Sequence, residues 1–138
     1  MNFAKWYNEQ FRKTLHEPLQ SSDGMSEADI DNVLRGMSIP SAMRDYYRVA
    51  GKHWINENHN HLRDLSALET NGDYTIFMDE NQVVVQWAIR NADMNQEDPT
   101  VYQGQQTGST YEWFPEKYTF STFMIAMWRW TLTGEDPE

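Results

Sequence analysis

The stretch HWINENHNH, residues 53–61, concentrates the residue types that most often bind metals or transfer protons. It holds three histidines and one glutamate among three asparagines. His59 and His61 are two residues apart, so on a strand both imidazoles would point to the same side and could reach one ion. His53 and Glu57 could complete such a ligand set. The alternatives are an acid–base site and a polar loop that happens to be rich in histidine.

The neighbouring sequence favours the loop. The stretch begins two residues after Gly51, a residue expected to end a helix, and ligand spacing in a loop is a weak signal for a metal. Asparagine is a poor transition-metal ligand beside imidazole, and both residue types bond to nearby backbone in turns. We therefore expect no bound metal, no cofactor and no catalytic residue. A small hydrolase or metal enzyme that uses His53, His59 and His61 is the weaker alternative.

Other catalytic patterns are also missing from the sequence. The chain has no cysteine, which excludes disulfides, thiolate nucleophiles and thiolate zinc sites. There is no Gly-x-Ser-x-Gly elbow, and GQQTGST at residues 104–110 lacks the lysine of a phosphate-binding loop. The carboxylate pairs at residues 79–80 and 97–98 fall at expected turns, where solvent keeps them ionised. These features indicate recognition rather than catalysis.

The negative charge is unevenly distributed along the chain. The net charge is −10, yet residues 1–52 contain seven basic and seven acidic residues. Residues 64–98 contain eight acidic residues and one basic residue. We expect these acids to form a rim around a hairpin and to bind a basic protein partner, while repelling nucleic acid. The residues assigned to partner binding are Asp79, Glu80, Asp93, Glu97 and Asp98. The alternative is that the acidity only confers solubility.

Hydrophobic periodicity predicts helices at both ends of the chain and strands between them. Apolar residues at three- and four-residue steps indicate helices over 2–15, after Ser26, from Pro40 to Gly51, and over 120–131. Alternation predicts a hairpin of 74–79 and 83–90 with Glu80-Asn81 near its tip, then strands 100–105 and 111–114 joined by a flexible segment from Gly104 to Gly108. Trp87 and Trp128 lie on the apolar sides of their elements, so we expect both to be buried.

This order of elements predicts an α+β fold in one domain, residues 1–138. The domain would comprise a helical part (1–52), a sheet with the C-terminal helix (53–131) and an acidic tail (132–138). The chain has no apolar run long enough for a membrane span and no recognisable secretory signal, so we expect a cytoplasmic protein.

Several segments, taken in order, resemble the SMI1/KNR4 (SUKH) superfamily. They are IPSAMRDYYRVAG, the asparagine- and histidine-rich loop, YTIFMDENQVVVQWAI, the dipeptide DP and FSTFMIAMWRW. Together they span about residues 37–130, and the residues before them match mainly in being helical. The combination of a proline-initiated helix and a strand–acidic–ENQ–strand–Trp hairpin carries the resemblance. In the family's hairpin the match falls on Glu80, Asn81, Gln82 and Trp87.

The resemblance implies a fold and a class of function. The fold would be an SMI1/KNR4-like α+β domain with a mixed, mainly antiparallel sheet flanked by helices. Bacterial members are largely immunity proteins that bind and neutralise a cognate toxin, often a nuclease. Fungal members are regulators of cell-wall synthesis and signalling. We therefore expect a non-catalytic immunity protein whose partner is a basic toxin. The alternative is a regulatory or scaffold protein in cell-wall or stress signalling, and the oligomeric state stays open.

Overall fold

The computed structural model of the chain describes residues 2–134 and combines four helices with six strands. The helices are α1 (Phe3–Leu15), α2 (Glu27–Leu34), α3 (Ser41–Ala50) and α4 (Phe120–Thr133). The strands are β1 (His61–Leu62), β2 (Glu69–Asn71), β3 (Tyr74–Asp79), β4 (Val85–Arg90), β5 (Thr100–Thr107) and β6 (Thr110–Thr119). The sheet order is β1-β3-β4-β5-β6, with β2 also paired to β3. Each of these pairings is antiparallel, which confirms an α+β fold with a mainly antiparallel sheet.

Local signals in the sequence account for the helix ends. The Ser26 side chain accepts a hydrogen bond from the backbone N–H of Asp29 (3.1 Å) and so caps α2. Pro40 immediately precedes α3, as its missing N–H and fixed φ allow. Gly51 follows α3 in a right-handed conformation, and a Cβ there would lie 2.7 Å from the Tyr47 carbonyl oxygen. Close packing on α3 therefore explains the glycine better than a left-handed turn does.

The hydrophobic core lies between the helices and one face of the sheet. Trp87 and Trp128 are 2% and 1% exposed, which confirms the prediction that both are buried. The Trp128 indole N–H donates to the Tyr46 hydroxyl (2.9 Å), which in turn donates to the Asn56 side-chain oxygen (2.6 Å). The histidine-rich loop is thereby tied to the core through Asn56.

The β3–β4 hairpin differs from its prediction at the start of the second strand. β4 begins at Val85, whereas Val83 and Val84 belong to the turn and are 68% and 63% exposed. Val83 has a φ of +57°, an uncommon conformation for a β-branched residue. Three consecutive valines are typical of a strand, but two of them form part of the turn that closes the hairpin and do not pair with β3.

The segment from Gly104 to Gly108 is not a flexible connection. β5 continues through Gly104 as far as Thr107, and β6 starts at Thr110, so that a two-residue turn joins the strands. Gly108 occupies this turn with a φ of +66°. β6 extends to Thr119, well beyond the predicted end at Phe114.

At the C-terminus, α4 continues to Thr133, so the helix includes the first residues of the predicted acidic tail. The tail residues 135–138 lie outside the described residues. Among residues 2–134, none of the helices combines the length and the apolar character needed to cross a membrane.

Candidate protein-binding surface

The face of the sheet opposite the core carries no helix within residues 2–134, because all four helices contribute to the core on the other side. Trp87 and Ile89 point into the core, so Ala88 between them points to this helix-free face. Its neighbours on the adjacent strands are Ile76 on β3 and Tyr102 on β5. Ala88 and Ile76 are nevertheless buried, so other side chains must cover them.

Aromatic rings provide this cover. We refer to Tyr74, Tyr102, Tyr111 and Trp113 as the aromatic ladder. Trp113 stacks on Tyr74, with ring centroids 4.6 Å apart, and on Tyr111, with centroids 5.4 Å apart. Tyr74 also meets the edge of Tyr102 at 5.3 Å. All four rings are half-buried, so the ladder shields the sheet and still presents aromatic surface to solvent. Burial raises the pKa of the Tyr74 hydroxyl.

Gly104 makes this arrangement possible. Tyr74 and Trp113 belong to β3 and β6, and two strands lie between them. On this face the intervening strands carry the small residues Ala88 and Gly104. A Cβ added to Gly104 would lie 2.4, 2.6 and 2.8 Å from three carbons of the Trp113 ring. The ring therefore rests directly on the backbone of β5, and any larger residue would displace it.

A polar network holds the Tyr111 end of the ladder. The Tyr111 hydroxyl donates to the Gln86 side-chain oxygen (2.5 Å), and the Gln86 amide donates to Asp79 (2.6 Å). Arg63 donates two hydrogen bonds to the same carboxylate, at 2.8 and 3.0 Å. Burial alone would raise the pKa of Asp79, but the hydrogen bonds from Arg63 and Gln86 outweigh it and lower that pKa. Asp79 is therefore a fixed anion in this network.

The Tyr102 end of the ladder has a second arginine–carboxylate pair. The Arg90 guanidinium donates to both oxygens of Asp93, each at 3.2 Å, and lies 5.7 Å from the centre of the Tyr102 ring. Asp93 is buried and also accepts a hydrogen bond from Gln96 (3.2 Å). Each end of the ladder thus has an arginine held by a carboxylate.

The five acidic residues predicted to bind a partner lie at the two ends of the β3–β4 hairpin. Asp79 and Glu80 lie at its turn, whereas Asp93, Glu97 and Asp98 follow β4. At about 3.3 Å per residue, the six residues of β4 separate the two groups by about 16 Å.

Most of these acids also have partners within the chain. Asp98 accepts hydrogen bonds from the Ser121 N–H (2.9 Å), the Ser121 hydroxyl (2.6 Å) and the Thr119 hydroxyl (2.9 Å), which places an anion at the start of α4. Glu80 accepts from the Val84 N–H within the hairpin turn (3.2 Å). Glu97 is exposed.

The three histidines of residues 53–61 point to different parts of the molecule. His53 is buried against Phe11, with ring centroids 4.7 Å apart, and its Nδ1 accepts a hydrogen bond from the Ile55 N–H. Burial lowers the pKa of His53. The His59 ring lies 5.0 Å from that of Trp130, and His61 is exposed on β1. The described part of the chain contains no group of three or more histidine, aspartate or glutamate side chains that could hold a metal ion.

The loop instead supports the β3–β4 turn. Asn60 is buried, and its side-chain oxygen accepts a hydrogen bond from the backbone N–H of Asn81 at 3.1 Å. Together with Asn56, which bonds to Tyr46 in the core, Asn60 fixes the loop between the helices and the edge of the sheet. Asparagines, more than histidines, make the contacts that define this segment.

The sequence interpretation did not identify the aromatic ladder. Its signal is the alternation Tyr111-x-Trp113, which places Trp113 opposite Gly104 once β5 and β6 are paired. Because Gly104 was assigned to a flexible segment between the strands, its pairing with Trp113 was not predicted.

Comparisons of the chain with protein-family models, with curated proteins and with solved structures each found no match. The resemblance of its segments to the SMI1/KNR4 superfamily therefore remains a prediction from the sequence. The function has to be inferred from the geometry and charge of the chain's own residues.

Proposed function

We propose that the protein is a non-catalytic module that binds a basic protein partner through the helix-free face of its sheet. The observation that carries this proposal is the composition of that face. Four half-buried aromatic rings and two arginines lie together on it, and each arginine is held by a carboxylate. Tyrosine, tryptophan and arginine are the residues most enriched among those that dominate binding energy at protein interfaces.

The charge of the chain supports a basic partner. A net charge of −10 attracts basic proteins and accelerates their association, and it repels the phosphate backbone of nucleic acids. The carboxylates on the face are better suited to binding than to acid catalysis. A general acid needs a raised pKa, whereas the pKa of Asp79 is lowered.

We further propose that the partner is a cognate toxin and that the protein acts as a bacterial immunity protein. The resemblance to the SMI1/KNR4 superfamily supports this role, and so does the charge. A nuclease toxin presents a basic surface to its substrate, so an acidic inhibitor that covers this surface would also block the substrate.

The experiment that tests this role is co-expression with the protein encoded by the neighbouring gene. If that protein is toxic, the wild-type chain should restore growth and co-purify with it. Trp113→Ala should weaken both effects, whereas Phe114→Ala should not. Phe114 is the matched control because it is 45% exposed and points to the opposite side of the same strand. A neighbouring protein that is toxic but is neither bound nor neutralised would refute the immunity role.

Electrostatic docking can be tested separately from folding. Glu69 and Asp73 are exposed beside the ladder, on β2 and immediately before β3. Replacing them by glutamine and asparagine should slow association with the partner, and added salt should reduce the difference. The control with the same change in net charge is Glu9→Gln with Glu17→Gln, at exposed positions on and just after α1. Equal association rates for the two double variants would show that the charge next to the ladder has no special role.

A further inference from the structure

We infer that the aromatic ladder recognises arginine side chains of the partner, an inference that rests on the proposed binding function and specifies its chemistry. The ladder offers ring surface next to fixed carboxylates. A guanidinium group stacks on aromatic rings and bonds to a carboxylate through two parallel N–H groups, whereas a lysine ammonium does neither as well.

The chain already binds two of its own guanidinium groups on this face. Arg90 lies between the Tyr102 ring, 5.7 Å away, and the carboxylate of Asp93, to which it donates twice. At the Tyr111 end of the ladder, Arg63 donates two hydrogen bonds to Asp79. Gln86 donates to the same carboxylate and accepts a hydrogen bond from the Tyr111 hydroxyl. The Arg90 site shows the arrangement that an incoming arginine would repeat: a planar cation next to a ring and paired with a carboxylate.

The ladder is also held in place before any partner binds. Trp113 is fixed by its contact with the backbone at Gly104 and by stacking on two tyrosines. Tyr111 is fixed by its hydroxyl. Rigid aromatic side chains lose little conformational freedom on binding, so most of the contact energy contributes to affinity.

The carboxylates around the ladder outnumber its arginines. Asp79 and Asp93 form ion pairs with Arg63 and Arg90. Two further carboxylates, on β2 and immediately before β3, are largely open to solvent. One is Glu69, whose side chain is 63% exposed and has a single 3.3 Å contact with Arg63. The other is Asp73, which is exposed next to Tyr74. These two can pair with a cation that stacks on the ladder, which makes the local charge complementary to an arginine-bearing segment.

The test uses short capped peptides of alternating arginine and glycine, with lysine–glycine and glutamate–glycine peptides as controls. Binding is followed through the backbone amide and tryptophan indole resonances of the protein in NMR titrations. The ionic strength should be about 0.01 M, at which the Debye length is about 30 Å, and the titrations should be repeated at about 0.15 M. The arginine peptide should shift the resonances of the ladder residues and bind about fivefold more tightly than the lysine peptide.

Two variants test whether the ladder causes the preference. Trp113→Ala removes the central ring, and Gly104→Ala retains the ring but displaces it. Both should abolish the preference for arginine, whereas Phe114→Ala should retain it. Equal binding of the arginine and lysine peptides would overturn the inference, and so would a preference that survives both ladder variants.

These outcomes are distinguishable from failure of the proposed function. A wild-type protein that binds its toxic neighbour but shows no preference for arginine peptides would refute the inference and leave the function standing. A clear preference for arginine in a protein that neither binds nor neutralises a toxic neighbour would support the inference and refute the immunity role.

Discussion

Gly104→Ala perturbs the aromatic ladder with a single methyl group. The new Cβ would lie 2.4–2.8 Å from three carbons of the Trp113 ring, well inside van der Waals contact. Backbone conformation is not the obstacle, because Gly104 does not have a positive φ. The ring therefore has to move, and its stacking contacts with Tyr74 and Tyr111 move with it.

The size of the effect follows from two opposing contributions. An aromatic pair contributes about 0.5–1.5 kcal/mol beyond its buried area, so disturbing two pairs costs about 1–3 kcal/mol. Replacing glycine by alanine in a strand otherwise stabilises the fold by about 0.5–1 kcal/mol, because the unfolded chain loses conformational freedom. We expect Gly104→Ala to lower the free energy of unfolding by about 0.5–2 kcal/mol. In a Trp113→Ala background the clash is gone, and the same change should raise the free energy of unfolding by about 0.5–1 kcal/mol.

Urea unfolding of the four proteins, followed by far-UV circular dichroism, measures both effects without relying on Trp113 fluorescence. The double-mutant cycle should give a coupling energy of about 1–3 kcal/mol, with a change of sign between the two backgrounds. Similar m-values would show that the variants unfold from comparably compact states. If Gly104→Ala stabilises the protein equally in both backgrounds, Trp113 does not rest on β5 and the ladder is wrongly described.

Three further predictions concern residues outside the aromatic ladder. Asp98→Asn should lower the free energy of unfolding, measured by urea titration, by about 1–3 kcal/mol, because the carboxylate accepts three hydrogen bonds at the start of α4. The control Glu97→Gln, at an exposed position, should change it by less than about 0.5 kcal/mol. Val83→Asn should raise the thermal midpoint, since asparagine tolerates the φ of +57° that costs a β-branched residue about 1–2 kcal/mol; a lower midpoint would argue against this turn. Burial lowers the pKa of His53 in the folded protein, so the unfolded state binds more protons than the folded state. The free energy of unfolding should therefore fall as the pH decreases below about 6.5, the unperturbed pKa of histidine. Unfolding measured from pH 7 to pH 5 should show a smaller loss of stability for His53→Asn than for the wild-type protein, and an equal loss in the two proteins would contradict the burial of His53.

Much of the fold could be predicted because local signals and long-range packing agree. Ser26 marks a helix start through its side-chain cap and Pro40 through its fixed φ and missing N–H, and the structure places both at those starts. The burial of Trp87 and Trp128 follows from periodicity alone, because each shares a face with other apolar residues. Contacts between distant strands did not have to be known for any of these predictions.

The errors occur where a distant contact decides the meaning of a residue. Gly104 suggests a linker when only its neighbours are considered, and the reason for a glycine there is a tryptophan on the next strand. Val83 suggests a strand, yet it lies in a turn that is held by the Glu80 side chain and, through Asn81, by Asn60. Periodicity carries no information about such contacts, so the sequence alone could not identify the ladder or the role of Asn60.

Contacts with residues distant in sequence also decide the roles of the acidic residues. The charge pattern of the sequence predicts that five carboxylates form one rim that binds a basic partner. In the structure, Asp79 and Asp93 neutralise arginines, and Asp98 caps α4. A variant that lacks all five charges would therefore lose structural contacts as well as charge, and slower association could not be assigned to electrostatics. Charge that is available for steering has to come from exposed carboxylates such as Glu69 and Asp73, next to the rings that would make the final contact.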